Sequence, residues 1–135
     1  MRSLAAAVVL LGASVASALM PPHVTTITPS AQGARLHEGR IVKFHGYSFA
    51  PDLESTVTDA SGNAVRVEHY LWTGARCANG TSNCDESMPG AVQIYSVLSV
   101  KLPPPQAGVR LRIELMGSTA VVTTDDEGYR MESVQ

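Results

Sequence analysis

Four aliphatic residues, Val109, Leu111, Ile113 and Leu115, alternate with Arg110, Arg112 and Glu114, and only an extended chain places such a set on one side. The segment therefore predicts a strand with one buried and one wet face. The same period of two recurs elsewhere. Val92, Ile94, Leu98, Val100 and Leu102 share one face of a longer run, interrupted by Ser96, while Gln93, Tyr95, Ser99 and Lys101 fall on the other. From Val65 to Trp72, the apolar Val65, Val67 and Leu71 oppose Arg66, Glu68 and Tyr70. Thr119 to Thr124 is rich in β-branched residues and reads as a terminal strand. No helical period appears after Ala18.

Turn residues separate these runs. Ser61-Gly62-Asn63 is expected to reverse the chain between strands near Glu54–Thr58 and Ala64–Trp72. Pro103-Pro104-Pro105 followed by Gly108 imposes an extended break before the Val109 strand. Gly117-Ser118 is expected to close the last hairpin. Thr73 to Gly90 reads as one long polar loop, and loops of that length often carry function. About seven short strands with turns every ~8–12 residues predict an all-β, Ig-like sandwich. The antibody Cys…Trp…Cys spacing is absent.

The first 18 residues read as a cleaved secretory signal rather than as fold. Arg2 is basic, Leu4–Ala13 is apolar apart from Gly12, and Ala16-Ser17-Ala18 offers small residues to a peptidase. The apolar run is shorter than the ~20 residues a membrane span needs, so no membrane insertion is expected. Of 135 residues, removal of 18 leaves 117, which suits one domain over residues 19–124 with an acidic tail at 125–135 expected to fray. Losing Arg2 leaves nine basic residues against 12 acidic ones. With no basic run, a nucleic-acid partner is not expected.

In an exported chain, Cys77 and Cys84 are expected to form one disulfide. A loop this short limits the entropic gain to about 2 kcal/mol. Asn79-Gly80-Thr81, inside that loop, matches an N-glycosylation acceptor at Asn79. The threonines at 25, 26 and 28 and the proline run are compositionally suited to O-linked sugar.

The stretch Ile27–Phe49 adds a resemblance. Thr26-Ile27-Thr28-Pro29-Ser30 resembles the opening phrase of the IPT/TIG family of Ig-like domains, Gly33 and Gly39 stand in its connection, and Val42-Lys43-Phe44-His45-Gly46-Tyr47-Ser48-Phe49 resembles its "vtitGxxF" strand. Val97 to Leu115, with prolines at 103–105, is similar to the family's later proline-containing phrase. The resemblance implies a binding or spacer module and carries over no catalytic residues. Independently of it, Pro29 should end the first strand, Gly46 should admit a close backbone or a bulge, and Phe49 should turn inward to cap the core. The long cysteine loop and the single copy depart from the family pattern.

Candidate chemistry is sparse. His23, His37, His45 and His69 show no spacing that builds a metal site locally. His45 and His69 lie on expected strands and could meet across a sheet. His23, near the expected mature terminus, keeps a periplasmic copper-binding sandwich as the least favoured alternative. Asp125-Asp126-Glu127 lacks the spaced ligands of a calcium loop and reads as a solvated acidic run, as do Asp85 and Glu86. There is no G-x-S-x-G phrase and no phosphate-binding glycine loop. A non-enzymatic protein without cofactor is therefore expected.

Two functions remain. One is a structural subunit of an extracellular filament, coat or matrix, self-associating or joined to another extracellular protein through edge strands or residues 20–28. The other is a recognition module for carbohydrate or a cell-surface receptor, with Tyr70 and Trp72 as contacts. Against the second, Trp72 is expected to be core at a strand end.

Overall fold

The structure is a computed structural model that describes residues 21–77 and 91–135. The expected signal (1–18), Asn79 and Cys84, and with Cys84 the disulfide, lie outside the described residues. No helix forms among the described residues. Eight strands run β1 (His23–Thr28), β2 (Ile41–Tyr47), β3 (Thr56–Asp59), β4 (Glu68–Cys77), β5 (Ala91–Lys101), β6 (Arg110–Leu115), β7 (Ser118–Asp125) and β8 (Gly128–Val134).

They form two four-stranded sheets, β1-β2-β5-β4 and β3-β6-β7-β8, with every pair antiparallel. The first seven strands reproduce the ABED and CFG sheets of an Ig-type sandwich, and β8 extends the second sheet beyond the last of them. The chain is therefore an all-β, Ig-like sandwich. Alternation decides what lies between the sheets. Val42, Phe44, Leu98 and Val100 face inward from the first sheet, and Leu111, Ile113, Leu115, Val122, Tyr129 and Met131 from the second, all buried. Lys43, His45, Tyr47, Tyr95, Val97 and Ser99 point outward with the opposite parity.

Two expected close approaches are present. Ser48, at φ 59°, turns the chain as it leaves β2 and sends Phe49 into the core. The Phe49 N–H then donates to Ser96 Oγ at 3.1 Å. Ser96, the polar interruption in the apolar face of β5, is thus a fully buried partner for an otherwise orphaned amide. At Gly46 a Cβ would collide with the His23 carbonyl oxygen and lie 2.9 Å from the Phe49 ring. Glycine there lets β1 and Phe49 close over the same spot.

The structure corrects several expectations. Residues 125–135 do not fray. Asp125–Gly128 turns the chain and β8 returns along β7, burying Tyr129 and Met131 with a two-residue period that the surrounding charge had masked. The last hairpin is accordingly β7–β8, and Gly117-Ser118 belongs to the β6–β7 hairpin. The β1–β2 connection covers the outer edge of β8: the Gly33 N–H donates to the Met131 carbonyl at 2.7 Å, and the Met131 N–H to the Ala34 carbonyl at 2.8 Å. The expected strand from Val65 is divided between sheets. Ala64 and Val65 pair with β3, and β4 begins in the other sheet only at Glu68. β4 also continues to Cys77 because β5 supplies partners for Thr73 to Cys77, so this part of the expected loop is strand.

Ser96→Ala removes the acceptor from the buried Phe49 N–H. It is expected to cost ~1–3 kcal/mol in urea unfolding. Gly46→Ala is expected to destabilise by a similar ~1–3 kcal/mol through overpacking. An unshifted midpoint in either variant contradicts this account of the β2–β5 junction.

Candidate functional site

The outward parity of the β1-β2-β5-β4 sheet places rings from four strands side by side. His23 pairs in register with Tyr47, and Tyr47 with Tyr95. Tyr95 in turn pairs with Gly74, where no side chain stands. The Trp72 indole, two residues back on the same face of β4, lies over that vacancy with its ring edge 2.8 Å from where a Cβ would sit. It meets Tyr95 edge-on at 6.0 Å between centroids. Tyr95 meets Tyr47 edge-on at 5.7 Å, and His23 lies tilted against Tyr47 at 5.4 Å. The rings form a strip across the strands, with Tyr95 standing between Tyr47 and Trp72.

Trp72 is 58% exposed and Tyr70 51%. Trp72 is therefore not core. It shares the parity of Glu68 and Tyr70, and that parity, rather than its position near a strand end, sets its exposure. Tyr70 sits beside the strip and donates its hydroxyl to Glu68 Oε1 at 2.8 Å, an interaction that raises the phenol's pKa. Tyr47 and Tyr95 are not singled out as contacts by the sequence, and His23 is singled out only for its place near the expected mature terminus. The signal was present for Tyr95, which alternation puts on the wet face of β5, but only strand order shows that these rings adjoin.

A polar chain runs beside the strip on the same face. His45 Nδ1 lies 2.9 Å from the Tyr95 hydroxyl, and His45 Nε2 lies 2.8 Å from Thr28 Oγ1. His37 Nε2 reaches the same Thr28 oxygen at 3.0 Å. Burial pushes the pKa of both imidazoles down, and Lys43 adds to the effect. His69 does not meet His45. It lies on the inward parity of β4 with β5 between them, and its Nε2 accepts the Ser55 N–H at 2.9 Å with Ser55 Oγ at 2.8 Å. Burial lowers its pKa as well, against an opposing pull from Glu54.

Asp125 and Glu127 have structural partners. Arg35 forks onto both oxygens of Asp125 at 2.8 and 2.7 Å and reaches Glu127 at 3.1 Å. Its hydrogen bonds, with the Glu127 amide, pull the Asp125 carboxyl down to about 2. This end of the acidic run is thus a clasp between the β1–β2 connection and the β7–β8 turn. Among the described residues no three His, Cys, Asp or Glu side chains gather to hold a metal ion. A hollow of about 250 Å³ between β1 and the end of β8 is lined by Val24, Ile27, Ser118 and Val134, among others, and carries no titratable side chain. No family model, curated protein or solved structure matches the chain.

His37, His45 and His69 each bind a proton less readily folded than unfolded. Their contribution to stability is therefore complete above the unfolded histidine value of about 6.5 and declines as pH falls through the lower folded values. The urea midpoint is expected to drop between about pH 7.5 and about pH 5, before the carboxylates titrate. A flat or rising midpoint over that window rules this out.

Proposed function

We propose that this chain is a non-enzymatic, exported Ig-like module that recognises carbohydrate through the outer face of its β1-β2-β5-β4 sheet. The observation that carries the reading is the strip itself. Trp72, Tyr95, Tyr47 and His23, with Tyr70 beside them, occupy one face of a sheet whose other face supplies the core. A surface of rings edged by hydroxyls and by the charges of Glu68 and Lys101 matches the two faces of a sugar. The apolar C–H face packs on aromatic rings, and the hydroxyl rim meets polar groups. Trp72 is pre-placed over Gly74, so little side-chain freedom is lost on binding. Export rests on the pattern of residues 1–18, and the IPT/TIG-like assignment on the phrases of Ile27–Phe49; both remain part of the proposal.

Trp72→Ala is expected to weaken glycan binding at least about tenfold, the loss of a contact worth more than ~1 kcal/mol. Its circular dichroism and urea midpoint should stay near wild type, because an exposed indole contributes little to the core. A glycan array that finds no ligand for the native protein, or equal binding by the variant, sinks the reading.

A second reading, a structural subunit of an extracellular assembly, is favoured by one observation. β1 is an edge strand whose Thr25 and Thr26 are exposed, with an irregular register between Val24 and Thr26. An open edge can accept a strand from another chain. If this reading holds, the secreted protein runs as an oligomer at high concentration, and Thr26→Pro returns it to monomer. A monomer at every concentration, with no polymer by electron microscopy, excludes it.

A further inference from the structure

The four groups Tyr95, His45, Thr28 and His37 form an unbranched chain of hydrogen bonds at 2.9, 2.8 and 3.0 Å, and one end of it is the central ring of the strip. A threonine hydroxyl has a single hydrogen, and a neutral imidazole has one N–H and one free lone pair. Thr28 can therefore donate to only one of the two imidazoles that face it and must accept from the other. With both rings neutral, two arrangements satisfy every member.

In the first, Tyr95 O–H donates to His45 Nδ1, His45 Nε2–H donates to Thr28, and Thr28 O–H donates to His37 Nε2. The Tyr95 hydrogen then points into the chain, and the oxygen presents lone pairs to solvent. In the second, every bond is reversed. His37 Nε2–H donates to Thr28, Thr28 O–H donates to His45 Nε2, and His45 Nδ1–H donates to Tyr95, whose own hydrogen is turned outward.

One added proton removes the choice. If His37 takes it, Nε2 becomes a donor and the second arrangement follows. If His45 takes it, Nδ1–H donates to Tyr95 while Nε2–H donates to Thr28. In both cases the Tyr95 hydrogen faces outward. A second proton is resisted. It sets two N–H donors against the Thr28 oxygen, strands the threonine hydrogen, and adds like charge beside Lys43 on β2. The other groups around the chain are the Thr28 backbone, whose hydrogen bond to His37 favours a proton there, Glu38, next to His37, and the Tyr47 ring against Tyr95, with His23 behind it. His23 donates instead to the Pro21 carbonyl at 2.7 Å and is not a member.

We propose that His37, Thr28, His45 and Tyr95 are a one-proton relay that fixes the Tyr95 hydroxyl as an outward donor when protonated. In terms of ligand, acidification favours a saccharide that offers an acceptor at Tyr95, and a uronate carboxylate is the strongest such acceptor. This last step rests on the carbohydrate reading; the relay itself does not.

The two levels are tested separately. Two-bond nitrogen–hydrogen correlation spectra report which ring nitrogen carries hydrogen. In the wild-type protein, titrated from about pH 8 to about pH 5, the His37 and His45 rings are expected to respond at one shared midpoint and to take up a single proton between them. In Thr28→Val the two rings should titrate independently, whereas Thr28→Ser, which keeps the hydroxyl, should behave as wild type. Independent midpoints in the wild type, or a shared midpoint surviving in Thr28→Val, overturn the relay. If Thr28→Val does not fold, His37→Gln serves, and His45 should then take up a full proton at a midpoint of its own.

For the ligand, affinity for an oligogalacturonate is expected to rise about fivefold from neutral to acid pH, the equivalent of one net hydrogen bond. A neutral glucan oligosaccharide should show no such rise, nor should Tyr95→Phe with the uronate. A uronate affinity that is flat or falls on acidification overturns the ligand assignment. Absence of any glycan binding overturns the carbohydrate reading and leaves the spectra to decide the relay.

Discussion

The pairing of β2 with β5 is the contact on which the rest of the structure depends. Phe44 opposes Leu98, Gly46 opposes Ser96 and Tyr47 opposes Tyr95. In a sheet, a slip of one residue exchanges every inward side chain for an outward one. This register therefore sets the apolar core and the aromatic strip in a single choice. Ser96 holds it by accepting the Phe49 amide, and Gly46 by leaving room for β1 and Phe49 on the same side. A buried hydroxyl with one well-placed partner makes alternative registers costly, because each would leave an amide or a hydroxyl unpaired in the core.

Most of the fold was legible because its information is local. Alternation located β5 and β6, glycine and proline marked the breaks between runs, and Phe49 faces inward as its place after Gly46 implied. The misreadings share a cause. Composition was weighed above period at Tyr129 and Met131, whose acidic neighbours gave the look of a tail. Residue type was weighed above parity at Trp72, where a large aromatic ring was assumed to need burial. β4 was begun too early because Val65 and Val67 keep the alternation even though the chain is changing sheets between them. One-dimensional period cannot show that crossing.

The candidate site was less legible, for a different physical reason. Each member of the strip belongs to a different strand, and adjacency follows from strand order, which is a property of the whole sandwich. The histidines illustrate the point. His45 and His69 look equivalent in sequence, yet the first faces outward and joins Thr28 and Tyr95, while the second faces inward and ties Ser55 to β4. His37 reaches the outer face from a connection rather than a strand, at a distance that no spacing rule encodes.

The indole lying over Gly74 has a spectroscopic consequence. The chain contains a single tryptophan, and it sits at the open end of the ring strip rather than in the interior. Excited where tyrosine does not absorb, the molecule's intrinsic emission therefore originates at one surface position, 6.0 Å from Tyr95 between ring centroids. No second indole contributes a background. The fluorophore that ordinarily reports on unfolding is, in this protein, an unlabelled probe of what touches one face of one sheet.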